Sequence, residues 1–400
     1  MWEQIRSNRN RSLVLVIAMG VMLLLIGYGL GLYFMDNAIG GMIIALVVWA
    51  FMSLIAYSQG DNIFLALAKA KKISRDDHPR LYNIVEEMKI ASGLEKMPNI
   101  YIIDDPARNA FATGRNPNKA AIAVTSGLLQ ALDRDELQGV IAHEISHIKN
   151  RDVLLMVMCG VLLGTIVILA WFGTRALIFG GAGRRTSRGG GGQAQIIILV
   201  VALALMILAP IAAQLIYFAV SRKREYLADA SSALYTRYPN GLASALDKIA
   251  GSTKELKSAN KATAPMYIIN PFRPNKRSAS DLSSTHPPIS ERIRILRAMG
   301  GASLADYDRS YQKTHQKGGG IIGAVSLASA GSVKLQRAKV ETKWAEKADK
   351  VQRTRQTQDL MWRLNGYKTI ECPCGVKLKV PLSYKGKQAQ CPHCGRQHQV

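Results

Sequence analysis

Four hundred residues with 52 Lys and Arg against 28 Asp and Glu carry a net charge of +24, and 48% of the chain is hydrophobic. That length excludes a single small module. A charged fraction of 20% and a mean hydropathy near zero exclude a disordered or collagen-like chain, yet the average conceals long uncharged apolar runs beside very basic polar ones.

A helix crosses a bilayer core with about 20 consecutive apolar residues. Segments 13–34, 38–57, 153–172 and 196–220 reach that length without a charged side chain. Soluble helices are amphipathic and these are apolar all round, so four membrane helices are expected. The first follows Arg6, Arg9 and Arg11 but is too long for a signal peptide, and a second run follows at once, which fits an uncleaved anchor. Basic residues before the first run, together with Lys69, Lys71, Lys72 and Arg75 after the second, place the N-terminus and 58–152 in the cytosol. Residues 221–400 hold 32 Lys and Arg against 13 Asp and Glu. Contact with anionic lipid explains that excess without nucleic acid. The glycine-rich loop between the third and fourth runs resists the scheme, because Arg184, Arg185 and Arg188 would lie outside; it lacks the G-K-[ST] of a phosphate loop and reads as a linker.

Between the helix pairs, Asp77-His-Pro-Arg opens a helix with a capping residue and an early proline, followed by apolar residues at helical spacing. Residues 99–103 and 120–125 read as short strands, with Asn109, Ala110, Phe111 and Ala112 a further one. Residues 132–150 read as a helix with acids in its first turn and Leu137, Val140, Ile141, Ile145 and Ile148 as an inward stripe. His143-Glu-Ile-Ser-His147 lies on it. Its i, i+4 spacing aims both imidazoles at one ion and leaves Glu144 beside the metal's water.

A catalytic zinc takes three protein ligands and one open position, so a third must come from elsewhere. The third apolar run begins just after His147 and the fourth ends at Val220; a complete hairpin returns the chain to the same membrane face, where the first acid met is Glu225. Glu225 and Asp229 share a helix face: one is placed to ligate zinc and the other to hold a ligating imidazole. By spacing alone the same segment also reads as a basic helix on a membrane surface.

His-Glu-Ile-Ser-His, Ser221-Arg-Lys-Arg-Glu-Tyr-Leu-Ala-Asp229, Arg108-Asn-Ala-Phe-Ala-Thr-Gly114 and Thr285-His-Pro-Pro-Ile-Ser-Glu-Arg-Ile293, in this order around two helix pairs, resemble the HtpX-like membrane zinc metalloproteases, relatives of the CAAX prenyl proteases. The likeness covers about residues 1–300. It implies an α+β zincin-type protease domain built on four transmembrane helices, with His143, His147 and Glu225 on zinc, Glu144 as base and Asp229 supporting an imidazole. It also implies an inner-membrane endopeptidase with its active site and both termini in the cytosol, acting on unfolded or damaged membrane proteins in quality control and stress response. In that chemistry zinc polarises the scissile carbonyl and acidifies its water, while Glu144 moves the proton. The strand Asn109–Ala112 would be the edge along which an extended substrate lies, or an ordinary structural edge. His286 is placed to donate to a developing oxyanion, or simply precedes the helix that Pro287 and Pro288 open. Two rival functions remain: a CAAX-type prenyl-peptide protease, whose larger ring of membrane helices four spans do not provide, and a catalytically silent membrane scaffold, for which the intact motif has no use.

Farther on, residues 316–332 read as a Gly/Ala/Ser-rich hinge and 333–364 as a charged helical spacer. Cys372-Pro-Cys374 and Cys391-Pro-His-Cys394 resemble the two knuckles of a zinc ribbon holding a second, structural zinc; the first knuckle is one residue short, and His393 is an alternative ligand. With the basic spacer before it, the ribbon would recruit a substrate, an adaptor or nucleic acid, and the residues do not separate the three. The expected organisation is a helix pair (1–58), the first protease part (59–152), a second helix pair (153–220), the rest of the protease (221–315), hinge and spacer (316–366) and ribbon (367–400).

Overall fold

The computed structural model describes residues 2–180, 192–257, 266–269, 286–316, 319–328, 331–336 and 343–400. The loop carrying Arg184, Arg185 and Arg188, Thr285 and the Cys159 side chain lie outside the described residues.

The first two apolar runs form helices α1 (Trp2–Met35) and α2 (Ala38–Leu67), joined at Asp36 and Asn37. Asn37 caps α2 by accepting the Gly40 N–H at 2.9 Å. The helices touch through small residues: a Cβ on Gly41 would stand 2.1 Å from the Gly27 carbonyl oxygen, a close approach that tightly packed apolar helices favour. Both are long and apolar enough to cross a membrane.

Past α2 comes a mixed sheet, β1 (Lys71–Lys72), β2 (Asn99–Ile103), β3 (Ala110–Thr113) and β4 (Ala121–Thr125), ordered β1-β2-β4-β3. Strand β2 runs parallel to β4, while β1 and β3 are antiparallel to their neighbours. Helix α3 (Pro79–Ser92) starts on His78, whose Nδ1 accepts the Leu81 N–H. After β4 the short α4 (Ser126–Ala131) leads to α5 (Arg134–Lys149). Asp133 and Glu136 form a reciprocal capping box at its start. The expected stripe Leu137, Val140, Ile141, Ile145 and Ile148 is buried, but so are the opposite faces of α5, including His143, Glu144 and His147.

Helices α6 (Asp152–Gly180) and α7 (Gly192–Thr236) return to α1 and α2. Met19, Leu23, Leu162, Ile166 and Met206 form an inner cluster, whereas Val14, Val47, Phe51, Phe172 and Leu208 are exposed on the outside. The bundle is therefore as apolar outside as within. Each helix outruns its apolar stretch: α7, which accommodates Pro210 in its interior, continues past Val220 for four more turns and carries Glu225 on the same helix.

Helices α8 (Pro239–Ala250), α9 (Ile289–Arg297) and α10 (Leu304–His315) pack over α5 and α7. At Gly139 a Cβ would lie 2.7 Å from the Leu242 nitrogen, so only glycine lets α5 approach α8 this closely. The stretch expected as a hinge contains the short α11 (Ala324–Ala328), tied down where the Ile321 and Ile322 N–H groups donate to Asp308.

The charged spacer becomes α12 (Lys343–Leu364) and docks beside α4. Arg353 donates to the Gln130 carbonyl, Arg363 to the Asp77 carbonyl and Lys71 to the Leu364 carbonyl, with Leu360 and Thr357 fully buried. Two small hairpins follow, β5 (Tyr367–Glu371) with β6 (Lys377–Pro381) and β7 (Gln388–Gln390) with β8 (Gln397–Gln399).

Candidate metal centre

Helix α5 presents His143 and His147 one turn apart, and α7 brings Glu225 to them. The two Nε2 atoms are 3.2 Å apart. Glu225 places Oε2 3.5 Å from His143 Nε2 and Oε1 3.5 Å from His147 Nε2, and one ligand atom from each residue falls within 4.8 Å of the others.

The opposite edge of each ring explains why the Nε2 atoms converge. His143 Nδ1 lies 3.0 Å from Asp229 Oδ1, and His147 Nδ1 lies 3.2 Å from Asp152 Oδ2. A proton on each Nδ1, facing a carboxylate, leaves both Nε2 atoms with lone pairs. Two lone pairs and a carboxylate facing one another in a buried space require a cation between them. About 3.3 Å is the separation of two nitrogens each bound at 2.0–2.1 Å to a tetrahedral ion, so the residues fit zinc. Burial opposes charge on His147, but the Asp152 and Glu225 carboxylates outweigh it and raise its pKa to about 10; the site's demand for positive charge is expressed there too.

Asp229 is itself fixed by Arg292 of α9, whose Nε and Nη2 donate to its two oxygens at 2.8 and 2.7 Å. Arg292 Nη1 also lies 3.3 Å from Glu225 Oε2. Burial works against ionised Glu225, yet His286, the two imidazoles and Arg292 hold its pKa well below the usual carboxylate range. Glu144 is buried with Oε1 lacking a hydrogen-bond partner, and burial raises its pKa, as suits a proton acceptor.

His286 does not cap α9, whose N-cap is Pro288. The ring turns into the cleft instead, with Nε2 3.9 Å from Glu225 Oε2 and a hydrogen bond to the Tyr267 backbone. Burial lowers its pKa to about 4 and keeps it neutral.

Strand β3 is the edge of the sheet, shifted one residue from the expected Asn109–Ala112, and its outer side is not open along its length. The Ile268 N–H donates to the Ala110 carbonyl at 3.0 Å, Asn109 Nδ2 donates to the Ile269 carbonyl at 2.9 Å, and Phe111 pairs antiparallel with Tyr267. The chain's own backbone takes part of the expected substrate edge.

Asp152, Arg292 and Tyr267 escaped the sequence reading of the site. Asp152 lies beyond the end of α5, and Arg292 sits four residues after Thr-His-Pro-Pro, within the 285–293 segment, without any periodicity to single it out.

In the C-terminal module, Cys372, Cys374, Cys391 and Cys394 bring four Sγ atoms within 4.8 Å of one another. The cysteines are free, with Cys372 and Cys394 3.4 Å apart and Cys374 and Cys391 3.6 Å apart. Each knuckle ends on a glycine with positive φ, Gly375 and Gly395, so the shorter first knuckle still turns its thiols inward. His393 is not in the cluster.

The sequence matches the model of peptidase family M48 over residues 75–300. It is 46% identical over 299 residues to the Protease HtpX homolog of Dictyoglomus turgidum, covering 75% of this chain and 95% of that one. The chain belongs to peptidase family M48. As a member of that family it is a metalloprotease, with a mixed helix and sheet domain of zincin type. The Listeria monocytogenes serotype 4a Protease HtpX homolog is 42% identical over 305 residues, covering 75% of this chain and all of the relative. The crystal structure of S. mikatae Ste24p is similar at a TM-score of 0.41 and 21% identity, over 74% of this chain and 67% of that one, a likeness too loose to say more. The family match ends at residue 300, ahead of α12 and the cysteine hairpins.

Proposed function

We propose that this M48 member is a membrane-integral zinc endopeptidase that hydrolyses unfolded or damaged membrane proteins at the cytosolic face of the inner membrane. The observation that carries the catalytic part is the convergence of two lone-pair-bearing imidazoles on the Glu225 carboxylate, next to the unpartnered Glu144 oxygen. His143, His147 and Glu225 hold the zinc, which supplies polarisation of a peptide carbonyl and a water whose pKa falls toward about 7. Glu144 Oε1 accepts the proton of the attacking water and returns it to the leaving amine. Asp229 and Asp152 keep the imidazoles in the ligating tautomer, and Arg292 keeps Asp229 ionised. His286, neutral beside Glu225, is positioned to donate to the developing oxyanion once its ring hydrogen bond rearranges.

Four membrane crossings are supported by the apolar exterior of the α1, α2, α6 and α7 bundle, which water would not solvate. The basic residues flanking α1 and α2 support a cytosolic site. Quality control as the setting is what the resemblance of the motifs to HtpX-like proteases implies, and the named relatives support the protease part of it. The four converging thiols support a second zinc that is purely structural, in a ribbon where an adaptor or substrate docks.

The test is cleavage of an unfolded membrane protein in detergent by wild type and Glu144→Ala, with zinc content measured on both. Loss of cleavage with catalytic zinc retained supports the reading; equal cleavage by the pure variant sinks it.

A further inference from the structure

The C-terminal module lies beyond the family match and holds a cleft of its own. Residues 343–400 carry 12 Lys and Arg against 4 Asp and Glu. Helix α12 has two distinct faces. One, with Arg353, Thr357 and Leu360, is buried where α12 docks beside α4. The other carries Lys347, Val351 and Arg355 at intervals of four, which sets the three side chains in one row. That row lines a cleft of about 850 Å³ between α12 and the β5–β6 hairpin, together with Lys377 and Lys379 of β6.

The cleft is cationic and only partly neutralised. Asp359 lies in it with carboxylate oxygens 3.7 Å from Lys377 Nζ and 3.2 Å from Lys379 Nζ. The two lysines therefore already hold a carboxylate. They sit two residues apart on one face of β6, about 6.8 Å by strand geometry. An extended peptide repeats its side chains at that same interval, so acids at alternate positions match the pair. Among the described residues no carboxylate pairs with Lys347 or Arg355, which leaves two further cations for the same chain. Gln352 and Gln356 add amide donors and acceptors for a peptide backbone.

Nucleic acid fits this cleft worse. Single strands bind by stacking bases on aromatic faces, and no ring is among the lining residues. The nearby Trp362 is already engaged, with Tyr367 edge-on at 4.5 Å and Lys379 Nζ 5.1 Å over its ring. Asp359 would also repel a phosphate beside the lysine pair.

We propose that the cleft between α12 and the β5–β6 hairpin is a docking groove for an acidic, extended peptide segment of a protein substrate. This deepens the reading of the C-terminal module as a docking unit and rests on it. Arg353 and Arg363 tie α12 to the M48 domain, so a chain held in the groove is kept near the metal centre, which raises its effective concentration there. The same charge turns away the Lys/Arg-rich loops that flank membrane spans on the cytosolic side. Substrates are thus chosen by an exposed acidic stretch, away from the bond that is cut.

Binding is read without cleavage. Fluorescence anisotropy is measured with zinc-loaded full-length protein in non-ionic detergent, at a salt concentration that screens distant charges. The probes are a labelled peptide of alternating Glu and Ser, its Lys and Ser counterpart, and an oligothymidylate. The acidic peptide should bind saturably, and Lys347→Glu with Arg355→Glu should weaken it about tenfold or more, the scale of two exposed ion pairs turned into repulsions. Lys385→Glu with Lys387→Glu makes the same change of charge on ribbon residues outside the cleft and should weaken it less than about threefold. Equal losses in the two variants would reduce the effect to overall charge and overturn the groove. Tighter binding of the oligothymidylate, lost with Lys347 and Arg355, would overturn the peptide as its occupant. Binding of the basic peptide instead, weakened by Asp359→Asn, would leave a docking module and overturn its acidic partner, whereas no peptide bound by zinc-loaded protein would sink both readings.

Discussion

Asp229 Oδ1 stands 3.0 Å from His143 Nδ1 while the same carboxylate is gripped from the other side by Arg292. One acid thus sets the tautomer of a metal-binding imidazole and is itself kept ionised by a guanidinium. Asp229→Ala should weaken zinc binding about 10–100-fold, the usual effect of losing such support, and Asp152→Ala should do the same through His147. Competition titrations against a chelator measure both; unchanged affinity in either variant would mean that its imidazole needs no orienting carboxylate.

Glu144→Gln keeps the shape of the site and removes its proton acceptor. kcat should fall by about two to four orders of magnitude while His143, His147 and Glu225 retain their zinc. A variant that loses its zinc along with its activity would assign Glu144 to the metal rather than to the proton.

Burial raises the Glu144 pKa above the ordinary 4.5, with the imidazoles opposing. The base works only when ionised, so kcat/KM should decline on the acid side as pH falls through this raised value. The pH profile of wild type, with zinc content followed in parallel to exclude metal loss, places that limb. A limb at the ordinary carboxylate position would contradict the buried environment.

His78 concerns stability alone. Its Nδ1 must be unprotonated to accept the Leu81 N–H, and burial, aided by Arg80, lowers its pKa from 6.5 to about 4. The folded state therefore binds fewer protons than the unfolded one. The contribution is complete above pH 6.5 and drains away as pH drops toward 4, on the order of 3 kcal/mol at most. His78→Asn, which keeps a capping acceptor without the titration, should flatten the melting temperature over that window.

The thiol cluster predicts a count. Full-length protein should carry two zincs per chain, and protein ending after Leu364 one. A wild-type stoichiometry of one would leave the cysteines as bare thiols. The docking of α12 predicts an energy: Arg353→Ala leaves the Gln130 carbonyl without its donor, costing about 1–2 kcal/mol, and should speed proteolytic release of the module.

How much of this was readable in the sequence depends on how local each feature is. His143, Glu144 and His147 lie within one helical turn, and Glu225 and Asp229 are four residues apart on another helix, so periodicity alone put each set on one face. The strand at Asn99–Ile103 was legible because Ile100, Tyr101, Ile102 and Ile103 form an unbroken run of strand-favouring side chains. Arg292 and Asp152 were not, because each meets its partner through tertiary packing that no spacing encodes. The Tyr267–Ile269 backbone was missed for another reason: it pairs at one bridge only, too briefly to leave an alternating pattern. The span limits were short because apolar composition marks where lipid would end, while a helix ends only where a cap or a breaker stops it.

Helix α7 has a mechanical consequence. Its apolar half and Glu225 belong to one helix with Pro210 inside it, and the arm from Pro210 to Glu225 measures about 22 Å at 1.5 Å per residue. A change of about 3° in the bend at Pro210 moves the carboxylate by roughly 1 Å, and misplacement on that order is enough to cost about a hundredfold in rate. With the apolar half of α7 in lipid, as proposed, thinning or crowding of that lipid would be felt as a moved carboxylate, and the enzyme's own pace would gauge its surroundings.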